Sequence, residues 1–88
     1  MKVTAAFCPE CNVWIFSRCP RDCRDCPGKH IFIDGGFEHL RLGFTGKLPR
    51  TKDFNIRATK AELYIDWNEG VDKFGIIKRK RGHYQYKI

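Results

Sequence analysis

A chain of 88 residues can form one small domain with a thin hydrophobic core, and domains of this size often need a metal ion or disulfides for stability. Its 17 Lys and Arg residues outnumber its 10 Asp and Glu residues, and the resulting net charge of +7 favours acidic partners. No apolar run approaches the roughly 20 residues that span a bilayer, so the composition excludes a transmembrane segment and predicts a soluble, cytoplasmic protein without membrane contact.

Two Cys-x-x-Cys pairs stand in the first third of the chain, Cys8 with Cys11 and Cys23 with Cys26. Structural zinc sites take four soft ligands in a tetrahedron, and two closely spaced pairs supply them. Each pair would form a tight turn that aims two thiolates at one point, and Pro9 sets the backbone angle φ in the first turn. We therefore predict a zinc ribbon with a structural Zn²⁺ bound by these four cysteines.

The remaining cysteine and a nearby histidine leave alternatives open. The chain has five cysteines, an odd number, and no export signal precedes the first pair, which argues against a secreted disulfide scaffold. Cys19, Cys23 and Cys26 offer two ways to close the second turn. The commoner spacing favours Cys23 with Cys26 and leaves Cys19 as a free thiol, for which a reactive role among neighbouring arginines is an alternative. His30 is an alternative metal ligand, four residues beyond Cys26.

Two strands and a turn are predicted around the cysteine pairs. The apolar, β-branched run 12–17 predicts the first ribbon strand, with Trp14 and Phe16 on one face as a cover for the metal site. Residues 30–33 predict the second strand. The Asp-Gly-Gly triplet at 34–36 predicts a turn, because adjacent glycines permit positive φ and Asp can hydrogen-bond to the backbone two residues on.

The order of these motifs resembles that of a family of short, uncharacterised zinc-ribbon proteins found in phages and bacterial prophages. The resemblance covers the first half of the chain, and the placement of Asp-Gly-Gly is its most distinctive part. Relatives in that family tend to have a tighter second cysteine pair than this chain. The resemblance implies a zinc site and a phage or mobile-element origin, without an established activity. The matching residues are Cys8, Cys11, Ile15, Ser17, Cys23, Cys26, Ile31, Ile33, Asp34, Gly35, Gly36 and Arg41.

The second half of the chain carries most of the positive charge. Residues 1–43 hold six Lys or Arg residues against five acids, a net +1, whereas residues 44–88 hold 11 against five, a net +6. Residues 44–53 contain Gly, Pro and three cations, which is typical of a linker, and residues 54–57 predict a short strand. We predict two parts of one compact unit: a zinc ribbon over 1–43 and a basic antiparallel β extension over 44–88.

Alternating polar and apolar residues predict further strands. Residues 37–43 favour a strand, with a short helical turn as the alternative. Residues 61–67 show the clearest alternation, with inward positions at Ala61, Leu63, Ile65 and Trp67. Residues 74–81 and 83–88 follow after turns, and three consecutive strands with short turns form an antiparallel meander. The predicted fold class is a small, mainly-β, metal-stabilised domain in which an N-terminal zinc ribbon is continued by a C-terminal antiparallel β-meander.

A run of four cations near two tyrosines predicts a nucleic-acid surface, where cations neutralise phosphates and aromatic rings stack on bases. The candidate binding residues are Lys78, Arg79, Lys80, Arg81, Tyr84 and Tyr86. Successive residues of a strand point to opposite faces, so the run would not form a single patch unless the edge curls. An acidic host protein as the partner and a merely solubilised edge strand are therefore alternatives.

Catalysis is not predicted. Four thiolates leave zinc no open position for water, Asp34 is explained by its turn, and Glu38 and His39 would face opposite sides of a strand. We therefore expect neither an enzyme nor a small-molecule substrate. The predicted function is contact with nucleic acid through the basic second half. The alternative is a phage accessory protein that binds and inhibits or redirects a host protein, such as a transcription or defence factor.

Overall fold

The computed structural model describes residues 1–36, 40–80 and 83–86, with the backbone alone for residues 79, 80 and 83–86. Most of the regular structure in these ranges is β-strand, and one short helix follows the sixth strand. The elements are β1 (Lys2–Cys8), β2 (Val13–Ile15), β3 (Arg24–Asp25), β4 (Ile31–Asp34), β5 (Arg41–Phe44), β6 (Thr51–Asn55), α1 (Lys60–Asn68), β7 (Ile76–Lys80) and β8 (His83–Tyr86). The prediction of a small, mainly-β domain is confirmed.

The strands form two sheets in which every neighbouring pair is antiparallel. The larger sheet has the order β6-β1-β2-β7-β8, and the smaller has the order β3-β4-β5. The seven-residue β1 lies inside the larger sheet, between β6 and β2. β6 falls partly in the segment 44–53 that was predicted as a linker. Its register with β1, from Lys2 opposite Asn55 to Ala6 opposite Thr51, makes it an edge strand instead.

The larger sheet is buried on both faces, because alternate residues of its inner strands pack into different hydrophobic clusters. The cluster on the side of α1 contains Val3, Ala5, Trp14, Phe16, Ile56, Ala58, Leu63, Phe74 and Ile77. The cluster between the two sheets contains Ala6, Cys8, Val13, Ile15, Cys26, Ile31, Ile33 and Ile76. Trp14 and Phe16 share a face as predicted, but it is the face opposite the one that carries Cys8. Val13 and Ile15 pack beside the cysteines instead.

The strand predicted over 61–67 is wrong, because these residues form α1. Thr59 caps the helix: its hydroxyl accepts a hydrogen bond from the Glu62 amide, and the Glu62 carboxylate accepts one from the Thr59 amide. This reciprocal pair is a capping box, which marks the start of a helix. The alternation of apolar residues over 61–67 had favoured a strand. Leu63 and Asp66 are buried while Ile65 is exposed, so the inward set follows helical spacing.

The Asp-Gly-Gly segment connects the smaller sheet to the loop that follows β2. Gly36 has a φ of +69°, and a Cβ at this position would lie 2.8 Å from the backbone nitrogen of Pro20. The Gly36 amide donates to the Ser17 hydroxyl, which lies 2.6 Å from the carbonyl oxygen of Asp22. Glycine is required here because the backbone both adopts a left-handed conformation and approaches another loop closely. The alternation predicted over residues 37–39 lies outside the described residues.

β7 is an inner strand and not an edge. It pairs with β2 over Ile76–Lys78 and with β8 over Ile77–Lys80, so β8 forms the border of the sheet. The interpretation of the cationic run as the protection of an edge strand therefore does not apply to β7. Among the described residues, no helix has the length and apolar character that crossing a membrane requires.

Candidate metal centre

Two hairpin turns bring four potential metal ligands together. The first turn joins β1 to β2 and carries Cys8 and Cys11, with Asn12 at a φ of +55°. The second turn joins β3 to β4 and carries Cys26 and His30. The ligand atoms of these four residues all lie within 4.8 Å of one another, and Cys8 and Cys26 are buried. Two such turns facing each other are the arrangement that the zinc-ribbon prediction requires.

The distances within the cluster fit a tetrahedral metal site. His30 Nδ1 lies 3.6 Å from Cys8 Sγ, 3.5 Å from Cys11 Sγ and 3.6 Å from Cys26 Sγ. Zinc–sulfur bonds of about 2.3 Å and zinc–nitrogen bonds of about 2.0 Å at tetrahedral angles place nitrogen and sulfur roughly 3.5–3.6 Å apart. All three nitrogen–sulfur distances agree with this value, so the position of His30 relative to the three sulfurs suits one ion at the centre of the group.

Backbone amides of the second turn donate to the cysteine sulfurs. The Gly28 amide lies 3.3 Å from Cys11 Sγ, and the His30 and Ile31 amides lie 2.9 Å and 3.5 Å from Cys26 Sγ. A hydrogen bond to sulfur stabilises the thiolate over the thiol, and the thiolate is the form that binds metal. The second turn therefore contributes two candidate ligands, and its amides stabilise the thiolate forms of Cys11 and Cys26.

The two buried thiols have opposite electrostatic environments. Burial raises the pKa of the Cys8 thiol to about 12, and this sulfur lies 3.5 Å from the Glu10 carboxylate. Burial also acts to raise the pKa of Cys26, but hydrogen bonds from the Ile31 and His30 backbones and from the His30 ring lower it to about 7. A metal cation at the centre would stabilise both thiolates, since a coordinated thiol is deprotonated.

The fourth ligand position differs from the predicted one. Cys23 is exposed and does not belong to the cluster, and His30 stands in its place. The reason is the register of the smaller sheet, in which Arg24 pairs with Ile33 and the amide of Cys26 donates to the carbonyl of Ile31. This pairing places the hairpin turn after Cys26, so the candidate ligands of the second turn are Cys26 and His30. His30 is the alternative ligand named from its position four residues beyond Cys26, and the commoner Cys-x₂-Cys spacing had favoured Cys23 over it.

Cys19 lies outside the cluster as well. It is buried in the loop after β2, and its carbonyl accepts hydrogen bonds from the Asp22 amide and the Ser17 hydroxyl. The five cysteines are all free thiols, so no disulfide competes with metal binding. A metal could therefore be held by three thiolates and one imidazole, a donor set that structural zinc sites use.

A buried ionic network around Arg18 was not predicted from the sequence. Arg18 is only 4% exposed, and its guanidinium contacts Asp22 at 2.7 Å, Asp66 at 2.7 Å and Asp72 at 3.1 Å. Arg24 also contacts Asp72, at 3.1 Å. These contacts join the loop between β2 and β3 to α1 and to the loop before β7. The sequence showed a charged loop but no pattern that pairs residues almost fifty positions apart.

The predicted binding residues are described to different extents. Lys78 is exposed on β7. Arg79 and Lys80 belong to the same strand, and the register pairs Arg79 with Tyr84. Tyr86 is likewise paired with Ile77. Arg81 lies outside the described residues. The strand pairing therefore brings two members of the predicted surface to neighbouring positions on adjacent strands, and their interaction with a partner stays a prediction.

Gly28 is expected to be essential for metal affinity. A Cβ at this position would lie 2.3 Å from His30 Cε1 and 2.8 Å from Nδ1, so Gly28→Ala must push the imidazole out of line with the sulfurs. We expect the metal affinity to fall by about ten- to a hundredfold, the range measured when the support of a ligand is lost. Competition with a chromogenic chelator measures this. Gly70→Ala is the control, because a Cβ there meets nothing within 4 Å and affects only a strained turn with φ at +65°. Equal affinities for both variants would contradict the prediction.

No protein-family model, curated protein or solved structure matches the chain, so the resemblance to phage zinc-ribbon proteins stays a prediction.

Proposed function

We propose that this chain is a small zinc-binding protein, phage-encoded and acting in the host-cell cytoplasm, that contacts nucleic acid through its basic second half. Zinc is the metal that best suits three thiolates and one imidazole in a closed, tetrahedral group. Its role in this proposal is structural, because four protein ligands leave no open position for a reacting water. Binding, not catalysis, is therefore the proposed activity.

The observation that carries the proposal is the unequal use of charges in the two halves. The salt bridges of the described residues join five acids, Asp22, Asp34, Asp53, Asp66 and Asp72, to four cations, Lys2, Arg18, Arg24 and Arg41. All four cations belong to residues 1–43, and three of the five acids belong to residues 44–88. Acids of the second half are thus neutralised by cations of the first.

Five described cations of the second half remain available to a partner. Lys47, Arg50, Arg57, Lys73 and Lys78 are exposed, and none forms a salt bridge within the described residues. Exposed cations without carboxylate partners can neutralise phosphates and release counterions, which supplies affinity for any nucleic acid. The exposed Lys78 begins the cationic run of β7 and connects this general argument to the predicted surface.

The test is a titration of labelled single-stranded DNA and RNA with the metal-loaded protein at several salt concentrations. For a single strand, the logarithm of the affinity should fall with the logarithm of salt by about 0.7 per phosphate contact. Replacing Lys78, Arg79, Lys80 and Arg81 together by glutamine should reduce this slope by two to three, by the same estimate. Arg21→Gln, an exposed cation of the first half, is the control and should change little.

Two results would contradict the proposal. Unchanged affinity of the fourfold variant for nucleic acid would show that the predicted surface does not bind it. A wild-type protein that binds no nucleic acid at low salt would reject the proposal altogether and favour an acidic host protein as the partner. A protein interface would show a weak salt dependence, because its core is apolar.

A further inference from the structure

A groove of about 430 Å³ lies between the first metal-binding turn and the loop that joins β5 to β6. We propose that this groove binds one nucleotide of a single strand, with its phosphate on Lys47 and Arg50 and its base against Phe7 and Leu48. The inference rests on the proposed function and assigns it a second contact site. The volume falls within the roughly 300–1,000 Å³ of small-ligand sites.

The apolar wall of the groove is unusually exposed. Leu48 is 68% exposed, although it lies in a loop flanked by cations. Phe7 is half-buried, and its ring packs at 5.0 Å from Trp14, which holds it in place. Both side chains line the groove, and together they offer an apolar surface against which a base can pack.

The cationic wall is held in position by aromatic rings. The guanidinium of Arg50 lies 4.9 Å from the ring centre of Phe7 and 5.9 Å from that of Trp14. These cation–π contacts orient Arg50 without neutralising it. Neither Arg50 nor Lys47 forms a salt bridge in the described part of the chain. Two exposed cations, one of them already ordered, are suited to a phosphate group.

The opposite wall carries an acid, which distinguishes a nucleotide from an acidic peptide. Glu10 lines the groove beside His30. Its carboxylate is exposed and lies 3.5 Å from Cys8 Sγ. The Glu10 carboxylate would repel an acidic peptide, because such a peptide carries carboxylates on both sides of its backbone. A nucleotide has a phosphate at one end and base amino groups at the other, and a carboxylate accepts hydrogen bonds from such groups.

The groove is distinct from the predicted surface on β7 and β8. It borders β6, at one edge of the larger sheet, whereas β8 forms the other edge. Four intervals between strands, each about 4.8 Å, separate these edges by roughly 19 Å. Variants of the two sites can therefore be made and measured independently.

The experiment compares two double variants of the metal-loaded protein that lose the same charge. Lys47→Gln with Arg50→Gln removes the groove cations, and Lys2→Gln with Arg21→Gln removes two exposed cations of the first half. The probe is a fluorescein-labelled single-stranded DNA of about 12 nucleotides, within the range that such proteins cover. We expect the groove variant to bind about ten- to a hundredfold more weakly and the control less than about threefold more weakly. Equal losses would overturn the groove assignment and leave the proposed function standing, whereas a wild type that does not bind would reject both.

A second measurement covers the case in which loss of Arg50 disturbs the fold. Amide chemical shifts of the wild-type protein, followed during addition of the unlabelled oligonucleotide, should change at Phe7, Lys47 and Arg50 and stay constant at Arg21. Changes confined to β7 and β8 would overturn the inference. Polyglutamate that shifts the groove amides as strongly as the oligonucleotide does would also overturn it, in favour of an acidic protein segment.

Discussion

Replacing His30 by alanine is expected to weaken metal binding by well over tenfold, whereas replacing Cys23 by serine should leave one tightly bound metal per chain. The reason is geometric: His30 Nδ1 lies within 3.6 Å of three cysteine sulfurs, while Cys23 is exposed and outside the group. Loss of a supporting contact already costs about ten- to a hundredfold in affinity, and loss of a ligand removes a bond. Native mass spectrometry and chelator competition measure both quantities.

Metal removal should also unfold the region between the two sheets. Cys8 and Cys26 belong to the hydrophobic cluster there, so the metal and the core support each other. Apparent zinc-binding energies of about 10–16 kcal/mol match or exceed the roughly 5–15 kcal/mol that stabilise a typical domain.

Cobalt substitution reports the donor set, because thiolate-to-metal bands scale with the number of sulfurs. A spectrum of four thiolates, lost in Cys23→Ser and kept in His30→Ala, would show that Cys23 is the ligand after all.

Arg18→Met is expected to destabilise the metal-loaded protein by about 3–5 kcal/mol, the loss typical of breaking a buried ion pair from one side. The side chain is 4% exposed and contacts Asp22 and Asp66, which have the same low exposure. Without the guanidinium, two buried carboxylates would lose their counter-charge. Urea unfolding measures the change. Arg21→Met is a matched control, since Arg21 is an exposed arginine of the same loop. Similar stabilities for the two variants would contradict the importance of the network.

The same network predicts a dependence of stability on pH. Burial acts to raise the pKa of Asp66, but hydrogen bonds from Arg18 and from the Phe74 and Lys73 amides outweigh it, so the pKa is lowered in the folded protein. A lowered pKa gives stability that is present above the unfolded value of about 3.9 and is lost as the pH falls through the folded value. Asp66→Asn should therefore lose stability at neutral pH and show a shallower acid transition than the wild type. Parallel acid transitions would contradict this assignment.

The sequence predicted three of the four cluster residues and the class of site. Cys8, Cys11 and Cys26 meet because two turns in a β structure aim them at one point, which is a local property of each turn. The fourth position depends on which residue of β3 pairs with which residue of β4, and strand register is decided by packing between the sheets. Ile31 and Ile33 face the hydrophobic cluster, and this choice brings His30 to the site.

What the sequence by itself determined about this protein is therefore the local chemistry: the cysteine pairs, the mainly-β character, the Asp-Gly-Gly turn and the concentration of positive charge in residues 44–88. The tertiary structure decided the choice between His30 and Cys23, the helix over 60–68 and the position of β1 within the sheet. Alternation over 61–67 fitted a strand, and the capping box at Thr59 together with packing of Leu63 made it a helix. Contacts between distant residues, such as Arg18 with Asp66, have no local signal, because only the packed fold brings them together.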